Sequence, residues 1–142
     1  MTPEHVQLTE AACTRLIYEY ARLNDLGRWE EVAALFTEDG IMARPGAPDV
    51  EIVGRGLILA AFLARPARAS CHFCTNIVVT VDSATSASAT SLIQLFTGAV
   101  GAEGGLPVLD AGAPKIGAYN DRFTLTPDGW RFAARRGRML FR

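Results

Sequence analysis

The sequence contains few of the residues on which common catalytic chemistries depend. It has two histidines, His5 and His72, a single lysine, Lys115, and no Gly-x-Ser-x-Gly motif. A Schiff-base mechanism needs a desolvated amine, and the lone lysine lies in a glycine-rich stretch, so that mechanism is disfavoured. The serine elbow of the α/β-hydrolases is absent as well. Any histidine chemistry therefore falls on very few side chains.

An excess of positive charge and long apolar runs are also missing. Fourteen basic and fifteen acidic residues give a net charge of -1, so the chain lacks the field that phosphate backbones or anionic lipids require. No apolar run approaches the ~18 residues of a membrane span, and residues 1–5 do not begin a signal peptide. We expect no nucleic-acid partner, no membrane partner and a cytoplasmic location.

The cysteines and glycines do not indicate a metal or a cofactor. There are three cysteines, an odd number that favours reduced thiols over disulfides. Cys71 and Cys74 are three apart in a predicted strand, so their side chains point to opposite faces and cannot readily share an ion. The glycines between 98 and 105 do not join a strand to a helix, as a dinucleotide or phosphate loop would. We expect neither a metal nor a cofactor.

The first half of the chain predicts helices and a small hairpin. With 142 residues and 49% apolar content, the chain fits one domain, 1–142. Apolar residues at three-and-four spacing predict a helix over Leu8–Leu26. Thr9 is its expected cap, Gly27 its expected end, and Leu8 and Cys13 a possible hydrophobic staple. Further elements are expected as helices at 29–36 and 55–63, a turn at 37–40, and a hairpin of 41–44 with 51–54.

The second half predicts antiparallel strands, which makes the fold class α+β. The predicted strands are 72–81, 86–97, 118–126 and 130–141, with a loop or an irregular hairpin tip at 98–117 whose glycines would give a flexible lid. Neither 72–81 nor 86–97 alternates cleanly between apolar and polar residues. A sheet covered by helices on one face and by a second copy on the other would give that pattern, so we expect a homodimer through the outer face.

His72 and Asp25 are the best candidates for catalysis. Imidazole has an unperturbed pKa of about 6.5, and a carboxylate can fix its tautomer and stabilise its cation. The pair could thus form a general base. The alternatives are a core or interface histidine bonded to backbone, and an aspartate that bonds backbone at a helix end.

A set of short motifs in a fixed order resembles the SnoaL-like branch of the NTF2-like superfamily. The set comprises Asn24-Asp25-x-Gly27-x-Trp29, Ala34-Leu35-Phe36-Thr37-x-Asp39, Gly54-Arg55-Gly56, His72-x-x-Thr75-Asn76 and Asp128-Gly129-Trp130. The resemblance covers nearly the whole chain. It implies a cystatin-like cone, in which a strongly curved mixed, mostly antiparallel sheet wraps three N-terminal helices and encloses a ligand pocket.

Within that superfamily, the chain is similar to the lindane dehydrochlorinase and scytalone dehydratase groups. Both groups have an acid at the position of Asp25 and a histidine at that of His72. The dehydrochlorinase also has an arginine where this chain has Arg135, and the dehydratase has a pocket asparagine where it has Asn120. Two departures concern the substrate: Tyr20 replaces a dehydrochlorinase lysine, and the second pocket histidine of the dehydratase is absent.

Four residues are therefore candidates for substrate binding: Tyr20, Met42, Asn120 and Arg135. Tyr20 and Asp25 stand about 140° apart on an ideal helix, so they share a pocket only if the helix end is distorted or the hydroxyl reaches. Asn120 and Arg135 could donate hydrogen bonds to a developing oxyanion or leaving group. Arg135 could instead pair with acids across the sheet.

The leading hypothesis is a cofactor-independent lyase or isomerase that removes a carbon-bound proton from a small, apolar, aromatic or alicyclic ligand. Dehydration, loss of halide and double-bond migration share that step, so the residues do not choose among them. One alternative is a non-catalytic binding or assembly module like a dioxygenase small subunit, with the pocket filled by Phe36, Met42, Phe62 or Phe96. Another is a polyketide cyclase, which would use the acid as its main base.

Overall fold

The protein has three helices and one seven-stranded mixed sheet. The computed structural model describes all 142 residues. Its elements, in chain order, are α1 Pro3–Asp25, α2 Trp29–Ala33, β1 Phe36–Ala43, β2 Ile52–Val53, α3 Arg55–Leu63, β3 Ala69–Val81, β4 Ser86–Ala99, β5 Val108–Leu109, β6 Lys115–Thr126 and β7 Gly129–Met139. The sheet order is β2-β1-β7-β6-β4-β3, and β5 pairs with β4. Only β1 and β7 run parallel. The predicted α+β class is confirmed.

The first helix begins earlier than its apolar pattern predicts. Thr2 is its N-cap and accepts a hydrogen bond from the backbone N–H of His5, while Pro3 occupies the first turn. A proline there loses no hydrogen bond, since that N–H has no partner within the helix. Thr9 is buried inside α1, and Leu8 is exposed, so the predicted cap and staple were wrong. Gly27, with φ 69°, follows the helix end as expected.

The chain after α2 enters the sheet sooner than predicted. The helix ends at Ala33, and residues 37–40 belong to β1 rather than to a turn. Phe36 pairs with Phe132 and Ile41 with Ala134, so residues 37–40 lie opposite the single residue 133. This large irregularity in the pairing explains why the sequence from Thr37 to Gly40 resembles a turn. The predicted hairpin with β2 and the bounds of α3 are confirmed.

A bulge in β3 explains why that strand does not alternate along its whole length. Register with β4 shifts between Thr75 and Val78, and Asn76 has φ 53°. His72 and Cys74 face inward before the bulge, whereas Ile77 and Val79 pack against the core after it. Each half of β3 therefore alternates regularly, and two covered faces are not needed to explain the pattern. The outer face is left exposed in a single chain.

The core lies between the three helices and the inner face of the sheet. Its aromatic residues form one packed group: Tyr20, Phe36, Phe62, Tyr119, Phe123 and Phe132. The segment 98–117, predicted as a loop or an irregular hairpin tip, joins the antiparallel strands β4 and β6 and contains the end of β4, β5 and the first residues of β6. None of the helices combines the length and the apolar character needed to cross a membrane.

Candidate active site

Asp25 and His72 are in direct contact. Asp25 is the last residue of α1, and β3 brings His72 against it. The distance from Nδ1 of His72 to Oδ1 of Asp25 is 2.5 Å. The backbone N–H of His72 donates to Oδ2 of Asp25 at 2.8 Å, and the hydroxyl of Ser70 donates to Oδ1 at 3.0 Å. Three bonds from one strand therefore fix the carboxylate and orient the ring.

His72 faces a cavity of about 380 Å³ that the sheet and helices enclose. The His72 side chain is 9% exposed and Asp25 is 22% exposed. Asp25 does not line the cavity; it lies behind His72, under a shallow groove between α1 and β3. Because Nδ1 is held by Asp25, Nε2 is the ring nitrogen left free, and no group of the chain bonds it. The ring is thus placed to accept a proton at Nε2.

Two tyrosines line the same cavity. Tyr20, of α1, and Tyr119, of β6, are both buried, with ring centroids 6.1 Å apart. Burial raises the pKa of each phenol. Both hydroxyls therefore stay protonated at neutral pH and can donate hydrogen bonds. The Tyr20 hydroxyl lies 3.6 Å from the sulfur of Met42, which is buried in the core and does not itself line the cavity.

Arg135 lies beneath the cavity rather than in its lining. It is fully buried, and its Nη1 donates to Oδ2 of Asp121 at 3.3 Å across the β6–β7 pair. Its guanidinium carbon is 3.8 Å from the Tyr119 ring centroid and 4.4 Å from that of Tyr20. Burial raises the pKa of Asp121 to about 6, although Arg135 opposes this shift. The structure thus gives Arg135 the cross-sheet pairing and a position that supports the two phenols.

Asn120 is on the other side of the sheet. Side chains alternate along β6, so Tyr119 and Asp121 point inward while Asn120 is exposed beside an outer groove. The structure therefore brings together His72, Asp25 and Tyr20 among the predicted site residues. It does not bring Met42, Asn120 or Arg135 into the cavity.

The fold and the sequence now define the family. A model of the SnoaL-like domain matches residues 7–136 of the chain. The protein belongs to the SnoaL-like family. No curated protein matches this SnoaL-like chain. The predicted resemblance, and the cystatin-like cone that it implied, are confirmed.

Several solved structures share the fold of this SnoaL-like protein. A candidate scytalone dehydratase from Novosphingobium aromaticivorans has a TM-score of 0.81 and 22% identity, covering 99% of this chain and 89% of its own. An NTF2-like protein with a cystatin-like fold from the same organism has a TM-score of 0.77 and 27% identity, covering 95% and 85%. A hexachlorocyclohexane dehydrochlorinase has a TM-score of 0.80 and 17% identity, covering 99% and 90%.

The SnoaL-like cavity also holds residues that sequence reasoning missed. Asn24 is buried at the cavity wall, and its Oδ1 accepts a hydrogen bond from Nη2 of Arg65 at 3.1 Å. The other missed residues are Arg44, Arg68, Lys115 and Tyr119. Arg44 ends a predicted strand, and Arg65 and Arg68 lie in the predicted connection between helix 55–63 and strand 72–81, where a charged residue is ordinarily assigned to solvent. Only their common location in the fold identifies them.

The cysteines take no part in the SnoaL-like cavity. Cys71 is exposed on the outer face of β3, whereas Cys74 is half-buried on the inner face. Burial raises the pKa of the Cys74 thiol, so it is a poor nucleophile at neutral pH. No group of three or more histidine, cysteine, aspartate or glutamate side chains is placed to hold a metal ion.

Proposed function

We propose that this SnoaL-like protein is a cofactor-independent lyase or isomerase that removes a proton from a carbon atom of a small cyclic substrate. The observation that carries the proposal is the 2.5 Å contact between Nδ1 of His72 and Asp25, with the opposite edge of the ring free beside a cavity. A carboxylate in that position fixes the tautomer in which Nε2 is the acceptor.

The proposed reaction begins with transfer of the substrate proton to Nε2 of His72. The electron pair of the broken C–H bond then forms a C=C bond, either to a neighbouring carbonyl carbon whose oxygen takes up the negative charge, or as hydroxide or halide leaves. Asp25 stabilises the imidazolium that results. Tyr20 and Tyr119, as neutral phenols, supply hydrogen-bond donors for the oxygen or halide that gains charge. Dehydration, dehydrohalogenation and double-bond migration all use this first step.

Two observations weigh against a non-catalytic binding module. That alternative expects Asp25 and His72 to be apart, or Phe36, Met42, Phe62 or Phe96 to fill the pocket. Instead the pair is in contact, and a cavity of about 380 Å³ remains open beside it. Phe96 packs edge-on against Phe73, with centroids 5.8 Å apart.

A cyclase that uses the acid as its base is also disfavoured, since Asp25 lies outside the cavity lining.

Proton abstraction can be tested before the natural substrate is known. The protein is incubated in D₂O with 2-tetralone, a cyclic ketone with acidic C–H bonds, and deuterium incorporation is followed by NMR. Chloride release from γ-hexachlorocyclohexane and isomerisation of 5-androstene-3,17-dione are assayed in parallel. We expect catalysed C–H cleavage in this panel, with a primary deuterium isotope effect on any turnover. Turnover without an isotope effect, or exchange no faster than in buffer across the panel, would contradict the proposal.

We also propose that two copies associate through the outer face of the sheet. Phe73 is 51% exposed and Val78 is 63% exposed on that face of β3, and exposed apolar patches of this kind mark interfaces. Analytical ultracentrifugation should give a dimer for the wild type and a monomer for Phe73→Asp. Leu57→Asp, at a position on α3 that is 63% exposed, serves as the control and should stay dimeric. A monomeric wild type would disprove the interface.

A further inference from the structure

We infer that the substrate of this site carries a carboxylate, which Arg44 and Arg65 bind in the cavity. The inference deepens the proposed function, because it names the class of molecule on which His72 would act. Four observations support it: the charge of the lining, the unpartnered atoms of Arg44, the environment of Arg65 and the apolar remainder of the cavity.

The cavity is lined by positive charge alone. Arg44, Arg65, Arg68 and Lys115 line it, and no aspartate or glutamate does. None of the four forms a salt bridge, whereas four arginines on the surface of the protein do: Arg15, Arg22, Arg28 and Arg136. This concentration contrasts with a net charge of -1 for the whole chain. A cleft walled by low-dielectric protein and lined by one sign of charge attracts ligands of the opposite sign.

Arg44 presents hydrogen-bond donors that nothing in the protein satisfies. It follows directly after β1, and its Nε and Nη2 are buried without a hydrogen-bond partner. Its guanidinium carbon lies 5.5 Å from the centroid of Phe62. Buried guanidinium donors normally have partners, since an unpaired buried polar group is costly. Nε and Nη2 have no surface open to the cavity, so a carboxylate there would accept from Nη1, which has no partner either, and would bring its negative charge beside the guanidinium.

Arg65 lies near the same ring and is held in place. Its guanidinium carbon is 5.8 Å from Phe62 and 4.7 Å from Trp29, and Asn24 accepts from its Nη2. Burial lowers the pKa of Arg65 first of all, and the positive charges of Arg68 and Arg44 lower it further, although Tyr20 and Asp25 oppose the shift. The group stays cationic even so. A bound anion would relieve this repulsion, which makes Arg65 a preformed partner for Arg44.

The remaining surface suits a hydrocarbon skeleton that reaches from the arginines to His72. Ile93 and Leu95 of β4 line the wall, and Leu95 pairs directly with His72 in the sheet. A carboxylate fixed at Arg44 and Arg65 would set which carbon of the skeleton meets Nε2. Arg68 and Lys115 are exposed at the rim, where they would draw the anion in without binding it rigidly.

Isothermal titration calorimetry with two probes of the same shape tests the inference. The probes are 2-naphthoate and its neutral analogue 2-naphthamide, at a pH where the acid is ionised. Hydrogen bonds to charged groups predict that the wild type binds the carboxylate about 10-fold to 100-fold more tightly. Arg44→Gln and Arg65→Gln should each remove much of this preference, and the double variant should remove it. Arg122→Gln, at an exposed site on β6 outside the cavity, should preserve it.

The outcomes separate this inference from the proposed chemistry. The variant His72→Ala should keep the preference for 2-naphthoate, because the arginines and not the imidazole bind the anion. A preference without any catalysis would support the anion site while counting against the proposed function. Equal affinity for the two probes, no binding of either, or a preference that survives in the double variant would overturn the inference. If the wild type binds the two probes equally but the arginine variants turn over more slowly, the arginines stabilise charge that forms during the reaction. That result would also overturn the inference.

Discussion

Replacing His72 by alanine is expected to lower kcat/KM by about 10²-fold to 10⁴-fold, the usual contribution of a positioned general base. The substitution removes Nε2, the proposed proton acceptor, and leaves most of the surroundings in place. The backbone N–H of residue 72 can still donate to Oδ2 of Asp25, and Ser70 can still donate to Oδ1. The tie between α1 and β3 should therefore survive, and circular dichroism should show an unchanged fold.

The matched control is His5→Ala, since His5 is the only other histidine and lies in the first turn of α1. It should keep wild-type kinetics on whichever panel compound reacts. Asp25→Asn provides a companion test, because an amide can no longer stabilise the imidazolium and can hold the ring in the wrong tautomer. Turnover that persists in His72→Ala at the wild-type rate would disprove the general-base proposal.

Replacing Arg135 by methionine is expected to lower the free energy of unfolding by about 3–5 kcal/mol at neutral pH, the typical cost of breaking a buried ion pair. Asp121 would remain as a fully buried carboxylate without its counter-charge. The measurement is urea unfolding followed by circular dichroism. Arg136→Met is the control, because Arg136 pairs with Glu51 at 2.6 Å on the surface, and exposed pairs contribute only about 0–1 kcal/mol.

The pH dependence of this effect has a definite sign. Burial already raises the pKa of Asp121 from 3.8 to about 6. Between these two values the folded state holds a proton on Asp121 that the unfolded state has lost. The contribution of this group to stability is therefore largest below pH 4 and falls as pH rises to about 6. Without Arg135 the pKa should rise further, which extends that fall to neutral pH. Adding Asp121→Asn to Arg135→Met should recover much of the loss, and its failure to do so would contradict the ion-pair explanation.

Local patterns predicted the helices and strands but not the irregular points. The bounds of α3 follow from its apolar run and from the glycine and proline near its ends. The start of α1 was missed because Thr9 resembles a cap, although Thr2 followed by Pro3 is the stronger signal. The β1 and β3 bulges were missed because pairing with a distant strand sets them, and neighbouring residues alone do not reveal that pairing.

The contact between Asp25 and His72 was predictable, whereas most of the cavity lining was not. Family motifs related Asp25 to His72, which lie 47 positions apart. Asn120 was placed in the pocket by resemblance, yet strand alternation puts its neighbour Tyr119 there instead. The positive charge at Arg44 and Arg65 is a long-range property: these residues follow different elements and meet only around the ring of Phe62.

The additional residue in β3 has a consequence for how relatives of this protein should be compared. Asn76 adopts a left-handed backbone, which asparagine tolerates better than most residues. Because of this bulge, His72 and Ile77 both face the inner side of the sheet, although residues five positions apart in a regular strand would face opposite sides. A relative that lacked this insertion would need its histidine, or its apolar residues, shifted by one position. Alignments drawn through this strand without a gap would then equate residues that point in opposite directions.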